Sequence, residues 1–466
     1  MMKTNISIFI LLLSLSAFGG CKKSGSIPID PPVVAPPSDN YKDPVAYGSP
    51  FGGVPDTKDA VIYEVNLRSF SASADLKGLQ QRLDQIKNLG VNVIWLMPVY
   101  PVGQLKSAGG LGSPYAVKDY NAVNAEFGTL EDLRTTVDEA HKRGMAVILD
   151  WVANHTAWEN AWISNKAWYQ QDNAGSIISP PGTGWLDVAA LNYNNADMRK
   201  AMIRAMKYWV LTANVDGYRC DAVDFVPADF WKQSLDTLKK MNYRKLILLG
   251  EGSKPEQITA GFQMNYAFDF YNTLKGIFAE SKAPSSLFTS NTHEKLPEGS
   301  YRLRYTTNHD VTSSDGSTVE IYKGKQGALA AFVLAATMDG VPLLYNGQEV
   351  GCPKKINFFE RDAIDWNINA DMNLEYKNIL AARSSSEALK TGVLTSYNHT
   401  DVIAFRKTKG LEEVTILVNV RNRSVDFDVP ATLIGQVCKN AISSEQVVLG
   451  AKITLPAHGY LILKKV

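Results

Sequence analysis

The sequence has few of the residues that would place it in several large functional classes. It has four cysteines and six histidines in 466 residues, and its formal net charge is +1. After Cys21 the remaining cysteines, Cys220, Cys352 and Cys438, are odd in number and far apart, so they do not predict a disulfide framework. A near-neutral charge argues against a general binder of nucleic acids or membrane surfaces.

Long apolar runs are also missing at the N-terminus, where the apolar stretch from Ile6 to Phe18 is too short to cross a membrane. It follows Lys3 and precedes two glycines and Cys21, which is typical of a secretory signal and resembles the cleavage site of bacterial lipoproteins. We therefore predict a signal peptide at 1–20 and a lipid on Cys21. The chain would be exported and anchored to a bacterial membrane, facing the periplasm or the cell surface. A plain signal peptide is the alternative.

Residues 21–55 are rich in proline, glycine and serine and have no apolar periodicity, which predicts a tether. From 56 to 390, strand-like and helix-like segments alternate, beginning with AVIYEV and a helix predicted at Leu76 to Gly90. This α/β alternation predicts a (β/α)8 TIM barrel, with a short insertion at about 156–195 after the third strand. A doubly wound open sheet is the alternative, but no G-x-G-x-x-G follows a strand. Short strands between turns at 391–466 predict a C-terminal antiparallel β-sandwich domain.

Polar residues follow the predicted strands at their C-terminal ends. In a (β/α) barrel these ends meet at one mouth, where the active sites of this fold lie. A single aspartate after a strand is most often a helix cap or a turn former. Several carboxylates with histidines and an arginine at one mouth indicate catalysis instead. The residues are Asp150, Asn154, His155, Arg219, Asp221, Glu251, Asn308, His309 and Asp310.

The spacing of Arg219 and Asp221 carries chemical information. Residues two apart on a strand point to the same face, so this guanidinium should favour the charged carboxylate and lower the pKa of Asp221. Glu251 follows an apolar strand without a basic neighbour in sequence, which predicts a raised pKa. Two carboxyl groups with diverging pKa values suit a nucleophile and a general acid/base.

The ordered motifs DWVANH, GYRCDAVDF, LLGEG, TTNHD and GVPLLYNGQE resemble those of the α-amylase family of glycoside hydrolases, glycoside hydrolase family 13. The resemblance runs from Ile62 to Trp366. It implies a retaining mechanism with Asp221 as nucleophile, Glu251 as acid/base and Asp310 as the carboxylate that binds the distorted sugar. It also implies that the sugar contacts Tyr115, His155, Arg219 and His309.

The resemblance implies hydrolysis of α-glucosidic, mainly α-1,4, bonds in starch-derived glucans or maltooligosaccharides. We expect the protein to be a monomer and not to bind nucleic acid. The same site would serve a 4-α-glucanotransferase, and a non-catalytic glycan-binding protein is the third alternative. A metal-dependent barrel hydrolase lacks its histidine-rich ligand set. The chemistry requires no cofactor. Calcium is common in the family, and Asn154 with Asp187 is the candidate pair, although no D-x-D-x-D-G loop is present.

Two features depart from the family or leave alternatives open. Asp224 stands where many members carry lysine or histidine, which affects the subsite for the leaving group. The insertion contains four tryptophans and Tyr169, which either line sugar subsites or pack a small subdomain. The tryptophans are Trp158, Trp162, Trp168 and Trp185.

Overall fold

The computed structural model describes residues 41–241 and 244–466. The predicted signal peptide, Cys21 and the first part of the tether lie outside these residues. The strands in chain order are β1 Ile62–Val65, β2 Val93–Leu96, β3 Ala146–Trp151, β4 His155–Ala157, β5 Val188–Ala190, β6 Gly217–Cys220, β7 Ile247–Gly250, β8 Met264–Tyr266, β9 Tyr301–Arg304, β10 Val341–Tyr345, β11 Val393–Tyr397, β12 Val402–Lys409, β13 Glu412–Asn419, β14 Val425–Asp428, β15 Val437–Asn440, β16 Gln446–Val448, β17 Lys452–Leu455 and β18 Tyr460–Lys465.

Every connection between consecutive barrel strands contains at least one α-helix. In chain order they are α1 Leu67–Phe70, α2 Leu76–Gln80, α3 Leu83–Asn88, α4 Leu130–Lys142, α5 Ala196–Thr212, α6 Ala228–Lys239, α7 Pro255–Ala260, α8 Phe268–Phe278, α9 Ser286–His293, α10 His309–Ser314, α11 Thr318–Ile321, α12 Lys325–Thr337, α13 Ala370–Ser384 and α14 Glu387–Thr391. Short 3-10 turns lie at Thr57–Asp59, Ala161–Ser164, Lys166–Trp168, Val223–Phe225 and Gln348–Val350.

Eight parallel strands close into a barrel in the order β1-β10-β9-β8-β7-β6-β3-β2. The predicted TIM barrel is confirmed and the open sheet is wrong. Most of these strands are buried along their length, as expected for strands between a packed interior and a helix layer. Strand β8 was not predicted, because a three-residue strand leaves no apolar run in the sequence. The predicted helix at Leu76–Gly90 is two helices, α2 and α3, separated at Gln81 and Arg82.

The chain leaves the barrel after β3 and returns at α5. This segment contains the antiparallel pair β4–β5, in which His155 pairs with Ala190, and two 3-10 turns. It lies at the C-terminal end of β3, so it forms one side of the barrel mouth. Most of this segment is irregular, so the apolar periodicity of the sequence does not predict its structure.

The C-terminal region has a six-stranded antiparallel sheet, ordered β11-β12-β13-β18-β15-β16, and a two-stranded sheet, β14-β17. One face of the large sheet packs on the barrel core through Ile403, Phe405 and Ile416. The other face shares a second core with Val425 and Phe427 of the small sheet. The two sheets therefore pack face to face, as the predicted sandwich requires.

The last part of the predicted tether, residues 41–55, packs on the barrel. The Tyr47 hydroxyl donates a hydrogen bond to Asp138 at 2.7 Å, and the Phe51 ring stacks on His141 with 4.2 Å between ring centroids. Packing therefore begins earlier than the composition of this segment predicted. Within 41–241 and 244–466, no helix is long and apolar enough to span a membrane. The three cysteines in this range are buried and unpaired.

Candidate active site

A single buried arginine connects the carboxyl groups at the barrel mouth. Arg219 is the next-to-last residue of β6, and its Nη1 donates to Asp150 Oδ1 at 2.9 Å and to Asp221 Oδ1 at 3.0 Å. Its Nη2 lies 2.7 Å from Glu251 Oε1, although this contact is not aligned as a hydrogen bond and is an ion pair only. Its Nε donates to the Tyr266 hydroxyl at 3.2 Å. One positive charge therefore serves three carboxyl groups.

Strand register explains how residues thirty positions apart meet. Arg219 pairs with Leu249 on the neighbouring strand β7, so Glu251 lies just beyond the end of β7, beside Asp221 beyond the end of β6. Gly217 makes this pairing possible, because a Cβ there would lie 1.9 Å from the carbonyl oxygen of Ile247. Glu251 is also held by Ala222, whose backbone N–H donates to Glu251 Oε2 at 2.9 Å.

The pKa of Asp221 corrects the expectation from the sequence. Burial raises the pKa of Asp221 to about 6, with Asp150 and Asp310 adding to the rise, and Arg219 offsets it only in part. The predicted lowering is therefore wrong, because the arginine is shared and the site is buried. Burial likewise raises the pKa of Glu251 to about 7, although Arg219 is its neighbour after all. The order of the two pKa values is the predicted one, but the gap between them is small.

A second chain of contacts crosses the mouth from β1 to β3. His309 Nδ1 lies 2.5 Å from Glu64 Oε1, and His309 Nε2 lies 2.7 Å from the Tyr115 hydroxyl. That hydroxyl donates to Asp150 Oδ2 at 3.1 Å. Burial lowers the pKa of His309, but the negative charges of Asp310 and Glu64 outweigh burial and raise it to about 9. His309 is therefore charged at neutral pH and donates from both ring nitrogens.

Two predicted site residues are placed differently from the buried cluster. Asp310 lies in the first turn of α10 with its side chain 57% exposed, and Oδ2 is 3.4 Å from His309 Nε2. This leaves its carboxylate accessible to a ligand in the mouth. His155 is buried, and burial lowers its pKa to about 4, so its ring is neutral. Its ring lies 5.5 Å from that of Trp185, edge to face.

The profile of the alpha-amylase catalytic domain matches residues 51–175 and 184–391. The chain belongs to the alpha-amylase family. It is an α-amylase-type glycoside hydrolase, and its relatives are α-amylases and α-glucosidases that support action on α-glucans. The predicted non-catalytic alternative has no support among them.

Two curated relatives illustrate the range of this family. Alpha-amylase 2 of Dictyoglomus thermophilum is 27% identical over 397 residues, which cover 80% of this chain and 68% of that protein. Glucan 1,6-alpha-glucosidase of Streptococcus dysgalactiae subsp. equisimilis is 28% identical over 402 residues, which cover 72% of each chain. Among solved structures, an alpha-amylase from Lactobacillus plantarum superposes with a TM-score of 0.79 at 25% identity, over 88% of this chain and 99% of that one.

The family site includes residues that the sequence analysis did not assign a role. Glu64 is fully buried at the end of β1 and holds His309, and Asp150 accepts from Trp95 Nε1 at 3.1 Å as well as from Tyr115 and Arg219. The signal was present in the sequence, because a charged residue within an apolar strand, as in VIYEV, is rarely buried without a partner. Glu64 therefore orients His309, and Asp150 orients Tyr115 and Arg219, at the mouth.

The four tryptophans of the insertion divide into packing and exposed residues. Trp168 is buried and contacts Trp162, and Trp158 lies under Lys106 and donates to the Leu186 carbonyl. Trp185 is 38% exposed, and its ring lies 5.8 Å from that of Phe225, which is 58% exposed. An exposed aromatic pair beside His155 and the turn after Asp221 forms an apolar edge of the mouth. We call Trp185 and Phe225 the aromatic edge.

The predicted calcium pair, Asn154 and Asp187, supplies fewer ligands than calcium requires. Calcium takes six to eight oxygen ligands. The amide nitrogen of Asn154 contacts His155 Nδ1 at 3.2 Å, and burial raises the pKa of Asp187. Within 41–241 and 244–466, no three His, Cys, Asp or Glu side chains are grouped as a metal site needs. The two residues alone do not make a calcium site, and calcium binding stays a prediction through which no catalytic step is drawn.

Proposed function

We propose that this protein cleaves α-glucosidic, mainly α-1,4, bonds in starch-derived glucans or maltooligosaccharides with retention of configuration. The observation that carries the proposal is the sharing of Arg219 between Asp221 and Glu251 at the mouth. This arrangement keeps two carboxyl groups close to one positive charge, and the two groups have different pKa values. Double displacement at a sugar needs such a pair.

In the first step, Asp221 attacks the anomeric carbon as the glycosidic bond breaks. Its pKa of about 6 leaves it mainly charged at pH 7. Glu251, with a pKa of about 7, holds a proton in a large fraction of molecules and donates it to the leaving oxygen. The products of this step are the released sugar and a glycosyl ester on Asp221.

In the second step, Glu251 removes a proton from water and the resulting hydroxyl attacks the anomeric carbon, which releases Asp221. The exposed carboxylate of Asp310 binds hydroxyls of the distorted ring. The Nε2–H of charged His309, which contacts the Tyr115 hydroxyl in the structure, donates to the same sugar when the sugar binds. Tyr115 stacks against His309 at 5.3 Å between ring centroids, which fixes the ring that would lie under the sugar. His155 completes the sugar contacts, whereas Arg219, predicted as a sugar contact, is fully buried and acts on the sugar only through Asp221 and Glu251.

Proton NMR of maltoheptaose with the protein tests the reaction and its stereochemistry. We expect new α-anomeric signals before mutarotation, together with shorter products. Products longer than the substrate would assign the 4-α-glucanotransferase alternative instead. A β-anomer as the first product would overturn the retaining mechanism, and an unchanged spectrum would overturn the choice of substrate.

We further propose that the protein is a monomer anchored through a lipid on Cys21. The support is the sequence of residues 1–21. Residues 41–55, which pack on α4 and α5, would connect such an anchor to the barrel. Labelled palmitate should be incorporated into the native chain and not into Cys21→Ser. Labelling of neither would support the plain signal peptide.

The calcium prediction has its own readout. If Asn154 and Asp187 bind the ion, added calcium raises the melting temperature of chelator-treated protein, and Asp187→Ala removes that rise. A melting temperature that calcium does not change would contradict the prediction.

A further inference from the structure

Asp224, at the position where relatives often carry a basic residue, is turned towards the loop that carries the proposed acid/base. It lies in the 3-10 turn after β6, three residues beyond Asp221. Its Oδ2 accepts from the backbone N–H of Ser253 at 3.2 Å, and its Oδ1 accepts from Gln257 Nε2 in a short contact. Its carbonyl oxygen accepts from Lys254 Nζ at 3.3 Å. No basic side chain could make the two carboxylate contacts, because both require an acceptor.

The same loop is tied to the barrel from its other side. Gln257 Oε1 accepts from Asn265 Nδ2 at 3.2 Å, and Asn265 Oδ1 accepts from Arg302 Nη1 at 2.8 Å. Arg302 Nη1 also donates to the Ser253 carbonyl oxygen at 3.3 Å. Residues 252–254 and the first turn of α7, which together we call the Gly252–Gln257 loop, are therefore held between Asp224 on one side and Asn265 of β8 and Arg302 of β9 on the other.

Glu251 immediately precedes this loop, and the turn after β6 holds it by hydrogen bonds. The backbone N–H of Val223 donates to the Glu251 carbonyl oxygen at 3.0 Å, next to the contact from Ala222 to the Glu251 carboxyl group. Ala222 has φ 45°, a left-handed conformation that is unfavourable for an alanine. The turn is thus held in an unfavourable conformation that presents its N–H groups to Glu251.

Packing leaves little space between the turn and the loop. A Cβ on Gly252 would lie 2.1 Å from Gln257 Nε2 and 2.9 Å from Asp224 Cγ. The absence of a side chain at Gly252 lets the carboxylate of Asp224 reach the loop directly behind Glu251.

We propose that Asp224 is a positioning residue: it fixes the Gly252–Gln257 loop against the turn after β6 and so holds the Glu251 carboxyl group where it donates a proton to the leaving oxygen. The inference rests on the proposed function of Glu251. On this view, an aspartate replaces the basic residue of relatives at position 224 because its carboxylate aligns Glu251. No contact between Asp224 and the leaving sugar is required.

Leaving-group dependence separates this role from a general structural one. Aryl α-maltosides from 2,4-dinitrophenyl to phenyl need increasing protonic assistance, because the departing phenol becomes more basic along the series. For Asp224→Ala we expect kcat/KM to fall tenfold or more on phenyl α-maltoside and less than twofold on 2,4-dinitrophenyl α-maltoside, since general acid catalysis is worth roughly 10²–10⁴-fold. Asp224→Asn keeps the volume and one acceptor oxygen, and should lie between the two.

A second variant keeps the test independent of the folding of Asp224→Ala. Gln257→Leu breaks the same clamp from the loop side and should steepen the leaving-group dependence in the same way. Asp172→Ala is the matched control, because the Asp172 carboxylate in the insertion likewise accepts two N–H hydrogen bonds, from the backbone of Ala174 and of Ser176, each at 2.9 Å. This control should leave the dependence of kcat/KM on the basicity of the leaving phenol unchanged.

Each remaining outcome decides a different point. An equal loss over the whole aryl series would overturn the positioning role in favour of general destabilisation. A loss on maltoheptaose with an unchanged aryl series would overturn it in favour of direct contact with the leaving sugar. If Glu251→Gln itself shows no leaving-group dependence, the proposed function of Glu251 fails, whatever Asp224 does.

Discussion

Two fully buried arginines on strands of the same barrel have opposite surroundings. Arg304 on β9 donates from Nη1 to Glu294 at 2.6 Å, from Nη2 to Asn291 at 2.7 Å and from Nε to the Asp339 carbonyl at 2.8 Å. Each of its three nitrogens has one partner, and one carboxylate balances its charge. Arg219 on β6 instead faces three carboxyl groups and has one nitrogen without an aligned hydrogen bond.

The difference teaches how a barrel separates stability from chemistry. Around Arg304 the donors and acceptors match, and Glu294 also accepts from the backbone N–H of Asp269 on α8 at 2.9 Å. The cluster therefore holds β9 to α8 and to Asn291 of α9. Around Arg219 negative charge is in excess, and burial makes that excess costly, so the carboxyl pKa values rise into the neutral range. An unbalanced cluster is poor for stability and suited to moving protons.

The largest expected effect comes from removing a carboxylate beside Arg219. Asp221→Asn and Glu251→Gln should each lower turnover of maltoheptaose by about 10³-fold or more, because the nucleophile or the acid/base is lost. Glu294→Gln, the same change beside Arg304, should leave kcat within about threefold in the folded protein. Near-normal turnover in Asp221→Asn would contradict the assignment of the nucleophile.

The second comparison concerns stability: Glu294→Gln should destabilise the protein, whereas Glu251→Gln should stabilise it above neutral pH. Glu294→Gln removes the balancing charge of Arg304 and should cost about 3 kcal/mol or more, since an uncompensated buried charge remains. The folded-state pKa of Glu251, about 7, lies above its ordinary value, so its favourable contribution is present at low pH and is lost as pH rises through about 7. Glu251→Gln should therefore raise the melting temperature at pH 8 and change it little at pH 4.5.

Melting curves of both variants at the two pH values check this prediction. A lower melting temperature for Glu251→Gln at pH 8 would mean that the charges around Arg219 are balanced after all. It would remove the contrast between the two arginines.

The third prediction concerns the pH dependence of the reaction. Burial raises the pKa of Asp150 to about 6 as well, so the carboxyl cluster should titrate near pH 6, in a step shared by Asp150 and Asp221, and near pH 7, where Glu251 titrates. Activity should rise through the first step as Asp221 becomes charged and fall through the second as Glu251 loses its proton, which gives a narrow bell in kcat/KM. A profile on maltoheptaose that is flat from pH 5 to pH 8 would contradict it.

The sequence predicted where the site lies but not how its charges are arranged. Strand-end polar residues in GYRCDAVDF and TTNHD predicted the mouth, because parallel strands direct their ends to one side. The sharing of Arg219 was not predictable, since Glu251 reaches it through the register of β6 against β7, which sequence spacing does not give. The direction of the Asp221 pKa depended on burial, which local charge patterns do not report. The exposed and buried tryptophans of the insertion could not be told apart, because that segment is largely irregular.

The smallest expected effect extends the same contrast to aromatic residues of the insertion. Trp185 is exposed on the aromatic edge, whereas Trp168 is buried with Trp162. Trp185→Ala should lower kcat/KM on maltoheptaose by about fivefold, because one stacking contact is worth about 1 kcal/mol, and should leave the melting temperature almost unchanged. Trp168→Ala should do the reverse, since a buried tryptophan costs about 3–5 kcal/mol when truncated. If the two variants affect activity equally, the aromatic edge does not bind sugar and exposure at the mouth reflects packing alone.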